Sequence, residues 1–172
     1  MSELKSFIRE VPDFPKPGIS FKDITPLLGN PEIFGEVTRQ IAEPFRGKVD
    51  AVVGIESRGF IFGAPVALAL GVGFHLVRKP GKLPAATHAI TYDLEYGTDT
   101  LEIHKDALPA GSRVLMVDDL LATGGTARAA VDLLGKLAVE VVGAAFVIEL
   151  TALPGRKVLE PVSVLSLMEY DD

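Results

Sequence analysis

The chain has 172 residues, 48% of them apolar, and a formal net charge of −6. This length predicts one domain over residues 1–172 with a substantial core. The negative charge argues against a nucleic-acid partner, and without cysteine there is neither a disulfide framework nor a thiol nucleophile. No apolar run is long enough to span a membrane, and the first residues do not resemble a secretory signal. We therefore expect no membrane partner and a cytoplasmic location.

Apolar periodicity and helix-breaking residues predict the elements of the first half of the chain. Asn30 followed by Pro31 is a favourable N-cap and first-turn pair, and Gly71 is a favourable helix stop. The predicted elements are a short helix over 3–10, an irregular arm over 12–22, a helix from 31 to about 45, a strand over 51–55, a helix over 59–70 and a strand over 73–78.

The second half of the chain begins with residues 79–90, which combine prolines, a glycine and small polar residues and predict a mobile loop. A hairpin follows, with Gly97 near its turn. The predicted elements are the hairpin strands over 91–95 and 100–104, a strand over 114–117, a helix over 127–137, and strands over 141–150 and 162–167. Strands that alternate with helices predict an α/β fold with a parallel sheet covered by helices on both faces.

The run VLMVDDLLATGGTA at residues 114–127 is the most informative motif of the chain. Two carboxylates, Asp118 and Asp119, follow an apolar strand and precede a small polar turn at a predicted helix start. The turn consists of Ala122, Thr123, Gly124, Gly125 and Thr126. A helix N-terminus attracts phosphate, glycines allow close backbone approach, and carboxylates accept hydrogen bonds from ribose hydroxyls or hold Mg²⁺. The motif therefore predicts a site for a phosphorylated sugar.

Other nucleotide-binding motifs are absent from the sequence. It contains no G-x-x-x-x-G-K-[ST] and no G-x-G-x-x-G, which argues against a P-loop and a dinucleotide-binding unit. The three histidines form no metal-ligand pattern. A second polar turn, residues 56–59, follows the predicted strand 51–55, and in a parallel sheet both turns lie at the same edge. Arg58 and the basic cluster at 78–82 are the candidate anion-binding side chains.

On the motif at 114–127 and four further segments, the sequence resembles the type I phosphoribosyltransferases. Within that family it is most similar to the members that act on adenine. The resemblance extends from about residue 8 to residue 170. The segments that carry it are 12–28 (PDFPKPGISFKDITPLL), 54–67 (GIESRGFIFGAPVA), 77–84 (VRKPGKLP), 92–108 (YDLEYGTDTLEIHKDAL) and 114–127.

This resemblance implies a fold and an activity. The fold is a central, mostly parallel sheet flanked by helices, with a small N-terminal hood over residues 1–30 and a flexible flap hairpin over 79–104. The activity is transfer of the 5-phosphoribosyl group from phosphoribosyl pyrophosphate (PRPP) to adenine, which gives AMP and pyrophosphate in purine salvage. The resemblance also implies Mg²⁺ as a cofactor carried with PRPP, and a homodimer.

The resemblance also implies residue roles. The ribose and 5′-phosphate would be held by Asp118, Asp119, Ala122, Thr123, Gly124, Gly125 and Thr126. Pyrophosphate would be held by Glu56, Ser57, Arg58, Lys79 and Lys82, with a weaker case for Arg78. A cis peptide is expected at Glu56–Ser57. Mg²⁺ would contact Asp118 or Asp119, and no metal is expected to be held by the protein alone.

Catalysis and base recognition are implied for two further segments. Glu95 resembles the family's catalytic carboxylate and would manage the purine proton, while Tyr96 would exclude water from the nascent bond. Adenine would be bound by Ser20, Phe21 and Lys22, although Lys22 replaces the more usual Arg and Ser20 a more usual aliphatic residue. Two alternatives stay open: a phosphoribosyltransferase for a 6-oxopurine, and a PRPP-binding regulator without catalysis.

Overall fold

The protein is described here from a computed structural model that covers residues 2–94 and 96–172. The helices are α1 (Ser2–Lys5), α2 (Thr25–Leu28), α3 (Pro31–Ala42), α4 (Arg58–Leu70), α5 (Gly125–Gly135) and α6 (Gly155–Val158), and Glu43–Phe45 forms a 3-10 turn. The strands are β1 (Arg9–Val11), β2 (Phe21–Asp23), β3 (Ala51–Ile55), β4 (Gly73–Val77), β5 (Thr87–Asp93), β6 (Thr98–His104), β7 (Arg113–Leu121), β8 (Glu140–Leu150) and β9 (Val164–Tyr170).

The core is a five-stranded sheet in the order β4-β3-β7-β8-β9, and every neighbouring pair is parallel. Its strands alternate between two buried faces. Val52 and Leu115 join the core beneath α3 and α4, whereas Val53 and Met116 join the core beneath α5 and the β5–β6 hairpin. Burial on both faces explains why these strands are continuous apolar runs. The predicted α/β fold with a helix-flanked parallel sheet is confirmed.

The helix boundaries follow the signals in the sequence. Asn30 caps α3, because its side-chain oxygen accepts hydrogen bonds from the backbone of Glu32 and Ile33 at 3.1 and 3.2 Å. Helix α4 ends at Gly71, whose φ of 69° is the left-handed conformation that glycine adopts without strain. No helix of the described residues is long and apolar enough to cross a membrane.

The remaining predicted boundaries agree to within about three residues, with the last strand at Val164–Tyr170 rather than 162–167 and α5 at Gly125–Gly135 rather than 127–137, but three segments differ more. The helix predicted over 3–10 is only α1, since the chain then extends into β1, which pairs with β2. Within the loop predicted over 79–90, residues 87–90 belong to β5, whose pairing with β6 supplies backbone hydrogen bonds that the sequence pattern does not reveal. Strand β7 extends beyond residue 117 to Leu121, because the long β8 continues to pair with it. Asp118 and Asp119 therefore lie within the strand.

Candidate active site

A cavity of about 400 Å³ lies at the carboxyl ends of β3 and β7. Strand β3 has β4 on one side and β7 on the other. The chain therefore adds its next strand to one side of β3 and the later strands to the other side, which makes this position the topological switch point of the sheet. Helices α4 and α5, which follow β3 and β7, cover opposite faces and leave a crevice between their N-termini. The lining residues are Glu56, Ser57, Arg58, Lys79, Asp118, Asp119, Leu120, Leu121, Ala122, Thr123, Gly124, Gly125, Thr126 and Ala127. The two turns singled out in the sequence thus converge on one space.

The turn over residues 122–126 is shaped for an anion. Gly124 has a φ of 87° and precedes α5, whose first backbone N–H groups have no partner within the helix. Gly155 of α6 packs directly against this turn: a Cβ at Gly155 would lie 2.4 Å from the carbonyl oxygen of Ala122. The Thr126 hydroxyl lies 3.2 Å from the Tyr92 hydroxyl, within hydrogen-bond distance. The turn is therefore supported by α6 on one side and by the hairpin on the other.

The two adjacent carboxylates have different surroundings. Asp118 accepts a hydrogen bond from the backbone N–H of Asp119 at 2.8 Å. Burial, and next the neighbouring charge of Asp119, raise the pKa of Asp118 well above its ordinary value. Asp119 accepts a hydrogen bond from Nε of Arg58 at 2.6 Å, and its side chain is only 10% exposed. A sugar hydroxyl that binds Asp119 must share it with Arg58 or replace Arg58.

The turn after β3 contains a cis peptide bond between Glu56 and Ser57, as the resemblance implied. The Glu56 carboxylate points back to the segment after β4, where it accepts hydrogen bonds from Nε of Arg78 at 2.9 Å and the backbone of Lys79 at 3.1 Å. Burial opposes ionisation of Glu56, but these two donors outweigh it and lower its pKa. Glu56 therefore joins two segments of the site rather than presenting a free carboxylate.

The remaining predicted residues for pyrophosphate and catalysis occupy different positions. Lys79 lines the cavity, and its ammonium contacts the carboxylate of Asp99. Lys82 is exposed and lies outside the cavity lining. Tyr96 is 80% exposed, also away from the lining. Glu95 lies outside the described residues, so its predicted catalytic role is a matter for experiment.

The predicted adenine-binding residues lie in the N-terminal arm. Phe21 lines a second, apolar cavity of about 210 Å³ with Val11, Phe14 and Asp23. Its ring meets that of Phe14 edge-to-face, with centroids 5.2 Å apart. Ser20 and Lys22 do not line this cavity.

The ammonium of Lys22 is engaged inside the arm. It donates to Glu10 at 3.0 Å, to the Ser20 hydroxyl at 3.2 Å and to Asp172 at 2.7 Å. Its side chain is 2% exposed and lies over the ring of Tyr170, 4.4 Å from the centroid. Burial lowers the pKa of Lys22, but the two carboxylates outweigh this and raise it. Lys22 thus joins the N-terminal arm to the C-terminal residue Asp172 and is not free to bind a ligand.

Sequence reasoning missed three residues next to the cavity: Tyr92, Asp99 and Gly155. Tyr92 and Asp99 face each other across the hairpin, and only the strand register brings them together. Gly155 lies about 30 residues beyond the turn that it contacts, and no local pattern marks a glycine that packs against a distant carbonyl. A hairpin register predicted from the turn at Gly97 could have paired Tyr92 with Asp99.

Comparison with known proteins agrees with this geometry. A family model described as phosphoribosyl transferase domain matches residues 24–168. Fold and site together therefore define a phosphoribosyltransferase.

The relatives narrow this class. The adenine phosphoribosyltransferase of Acaryochloris marina is 63% identical over 98% of this chain and 99% of its own. The crystal structure of the enzyme of that name from Thermoanaerobacter pseudethanolicus has a TM-score of 0.95 at 53% identity, over 98% of this chain and 99% of that one. The Saccharomyces cerevisiae structure, complexed with an imino-altritol bisphosphate and adenine, has a TM-score of 0.91 at 46% identity, over 96% and 97%. The chain belongs to the adenine phosphoribosyltransferase family.

Proposed function

We propose that this protein transfers the 5-phosphoribosyl group of PRPP to adenine, giving AMP and pyrophosphate. The observation that carries the proposal is the convergence of two carboxylates, an N-terminal helix turn and two cationic side chains on one cavity. A phosphorylated sugar with a diphosphate leaving group needs those three kinds of partner. The 63% identical relative carries the name of this activity.

The turn over residues 122–126 holds the 5′-phosphate in this proposal. The backbone N–H groups at the start of α5 and the hydroxyls of Thr123 and Thr126 donate to its oxygens. Asp118 and Asp119 accept from the ribose hydroxyls. Since Arg58 donates to Asp119 at 2.6 Å, ribose binding and diphosphate binding by Arg58 are linked through one ion pair.

Pyrophosphate is assigned to the cationic residues of the same cavity. Arg58 and Lys79 line the cavity, and the turn at Glu56 and Ser57 adds backbone donors. Lys82 is exposed on the segment following Lys79 and is outside the cavity lining, but its charge helps to lower the pKa of Glu56, which lines the cavity. This segment joins β4 to the β5–β6 hairpin.

Displacement of pyrophosphate from the ribose C1 builds positive charge on the sugar carbon, and the purine attacks through N9. In the proposal, the carboxyl of Glu95 handles the proton near N7 or N9, and Tyr96 covers the reacting atoms and excludes water. Glu95→Ala should lower kcat at least 100-fold while leaving the KM for PRPP within about threefold. An E95A enzyme with the wild-type kcat would refute this role.

Adenine binding is assigned to the N-terminal arm. Phe21 offers its ring at an apolar cavity for stacking, and backbone groups near Ser20 can read the amino edge of the base. Lys22 has no direct role at the base in this proposal, because its ammonium is already engaged by Ser20 and two carboxylates. The adenine in the S. cerevisiae complex supports a purine ligand for this chain.

Mg²⁺ is proposed to arrive with PRPP. Within the described residues, no group of three or more acidic, histidine or cysteine side chains could hold a metal ion. Two carboxylates are nonetheless hard oxygen ligands of the kind that Mg²⁺ accepts alongside substrate oxygens. Asp118 and Asp119 therefore fit a shared site, where the ion would supply charge neutralisation for the diphosphate.

The test of this function is pyrophosphate release from PRPP with a panel of bases, with and without Mg²⁺. We expect turnover with adenine and at least 100-fold lower kcat/KM with hypoxanthine and guanine, because a 6-oxo group presents an acceptor where adenine presents a donor. Faster turnover of hypoxanthine or guanine than of adenine would indicate a 6-oxopurine enzyme, and equal turnover of all bases would indicate an unselective one. PRPP binding without turnover of any base would indicate a regulator.

Three further properties belong to the same proposal. Conversion of free adenine to AMP would place the protein in purine salvage, which incorporation of labelled adenine into cellular AMP would test. A homodimer is expected, and light scattering should give twice the chain mass of 18.3 kDa. A cytoplasmic location remains a prediction, and cell fractionation is its test.

A further inference from the structure

Tyr92 and Asp99 form a directly opposed pair across the β5–β6 hairpin, each one residue inside the end of its strand that faces the connection between β5 and β6. The two side chains are in contact, with the Tyr92 hydroxyl 3.4 Å from a carboxylate oxygen of Asp99. From this point each reaches a different part of the candidate site. Asp99 contacts Lys79, and Tyr92 contacts Thr126. The pair therefore bridges the diphosphate side and the 5′-phosphate side.

On the diphosphate side, Asp99 holds the ammonium of Lys79 from outside the cavity. Lys79 lines the cavity and Asp99 does not. Asp99 is itself held by the backbone N–H of Thr100 at 2.8 Å. An ammonium has three donors, so a contact with Asp99 leaves others for phosphate oxygens. A lysine already held in place loses less rotamer entropy when it binds an anion, and this gain opposes the partial neutralisation of its charge by Asp99.

On the 5′-phosphate side, Tyr92 contacts the first turn of α5. Its hydroxyl lies 3.2 Å from that of Thr126, and its ring packs against the core beneath α5. With the Tyr92 hydroxyl as donor, this bond orients the Thr126 hydroxyl and leaves the Thr126 proton for a phosphate oxygen, and the 3.4 Å approach of Tyr92 to Asp99 is then a contact without a hydrogen bond. A hydroxyl that is oriented before binding costs less entropy when it meets a phosphate oxygen.

We propose that Tyr92 and Asp99 are positioning residues that jointly fix Lys79 and Thr126 at the two phosphate-binding ends of the site, an inference that rests on the function proposed above. Neither residue touches the substrate. Through this pair the β5–β6 hairpin is joined to both anion-binding ends. PRPP, which carries both anionic groups, is then the ligand whose binding depends on the pair, and adenine is not.

The test compares Asp99→Ala, Asp99→Asn and Tyr92→Phe with a matched control, Asp93→Ala. Asp93 is an exposed carboxylate next to Tyr92 on the same strand, and it makes no side-chain hydrogen bond among the described residues. D99A should raise the KM for PRPP roughly three- to tenfold. D99N keeps an acceptor for Lys79 and should recover part of that loss, and Y92F should show a roughly twofold rise. The KM for adenine should stay within about twofold, and D93A should match the wild type.

A cycle with Lys79→Ala separates positioning from general destabilisation. If Asp99 acts through Lys79, D99A should change the KM for PRPP by less than about twofold in the K79A background. Additive effects in the double variant, equal effects of D93A and D99A, or a wild-type KM in K79A would each overturn the proposal.

Calorimetric titration with magnesium PRPP measures the Kd for PRPP of the same four proteins, so the D99A and K79A cycle can be repeated without turnover. A protein that binds PRPP but does not use adenine would refute the proposed function and leave this inference testable. If D99A does not fold, D99N and Y92F carry the measurement.

Discussion

Gly155 offers the sharpest test of how the phosphate-binding turn is held. A Cβ at this position would lie 2.4 Å from the Ala122 carbonyl oxygen and 2.8 Å from two side-chain carbons of Leu121. Real Cβ contacts are essentially never shorter than 3.0 Å, so Gly155→Ala must move the turn or α6 by about 0.6 Å. The atom that is met is backbone, which cannot rotate away as a flexible side chain could.

Two magnitudes follow from this displacement. Overpacking of a close contact costs about 2 kcal/mol of unfolding free energy, which for a chain of this size lowers Tm by roughly 4–8 °C. Misplacement of binding groups by about 1 Å costs on the order of 100-fold in rate, so we expect G155A to lose roughly tenfold or more in kcat/KM for PRPP. The KM for adenine should change little, because the displaced groups bind phosphate.

The assays are urea unfolding and steady-state kinetics, with Gly135→Ala as the control. Gly135 ends α5, the helix that follows the phosphate-binding turn, and nothing lies within 4 Å of a Cβ built there. G135A should therefore be neutral or stabilised by up to about 1 kcal/mol, with unchanged kinetics. A G155A protein that matches the wild type in both stability and kcat/KM for PRPP would refute the claim that α6 fixes the turn.

Three more predictions concern stability. The pKa of Asp118 is raised, so its contribution to stability is complete below the ordinary carboxyl pKa of 3.8 and is lost as the pH rises through the raised value. Asp118→Asn should lack this loss and gain stability over the wild type as the pH rises above 3.8, as measured by urea unfolding without ligand; parallel pH profiles would contradict this. Lys22→Ala should cost about 2 kcal/mol, because it removes a 2%-exposed ammonium whose carboxylate partners are half exposed and can be rehydrated; a midpoint equal to that of the wild type would count against it. Arg156→Ala should cost about 3 kcal/mol, because it leaves the 5%-exposed carboxylate of Glu149 without its bidentate partner. Adding Glu149→Gln should recover part of this loss, and a further loss would argue against the ion pair.

The sequence predicts what depends on neighbouring residues. The cap at Asn30, the stop at Gly71 and the buried strand β3 follow from local chemistry, and the structure confirms them. The turn over 122–126 was also predicted, because glycines and threonines at a helix start are a local pattern. The family resemblance predicted the arrangement of these elements into a mostly parallel sheet, and the structure has a five-stranded parallel sheet.

What the sequence does not predict depends on partners that are distant along the chain. The extension of β7 to Leu121 requires β8 beside it, and the pairing of Arg58 with Asp119 joins residues 61 apart. Lys22 was predicted as a base ligand from its place in the arm, yet its ammonium is taken up by a carboxylate 150 residues away. For Arg58 and Lys22, the partner of the side chain, rather than the residue type, decides which ligand the side chain is free to bind.

The same dependence on partners explains how a chain of net charge −6 can bind a polyanion. The two cations lining the described cavity, Arg58 and Lys79, are each already paired with a carboxylate, Asp119 and Asp99 respectively. Binding therefore exchanges or shares partners, and the electrostatic gain is smaller than free cations would give. The rest must come from donors that carry no compensating acid, which are the backbone N–H groups at the start of α5, and from cationic charge that the substrate brings. This balance favours a site that recognises its ligand by geometry, so that the placement of the turn and of Lys79 matters more than the number of basic residues.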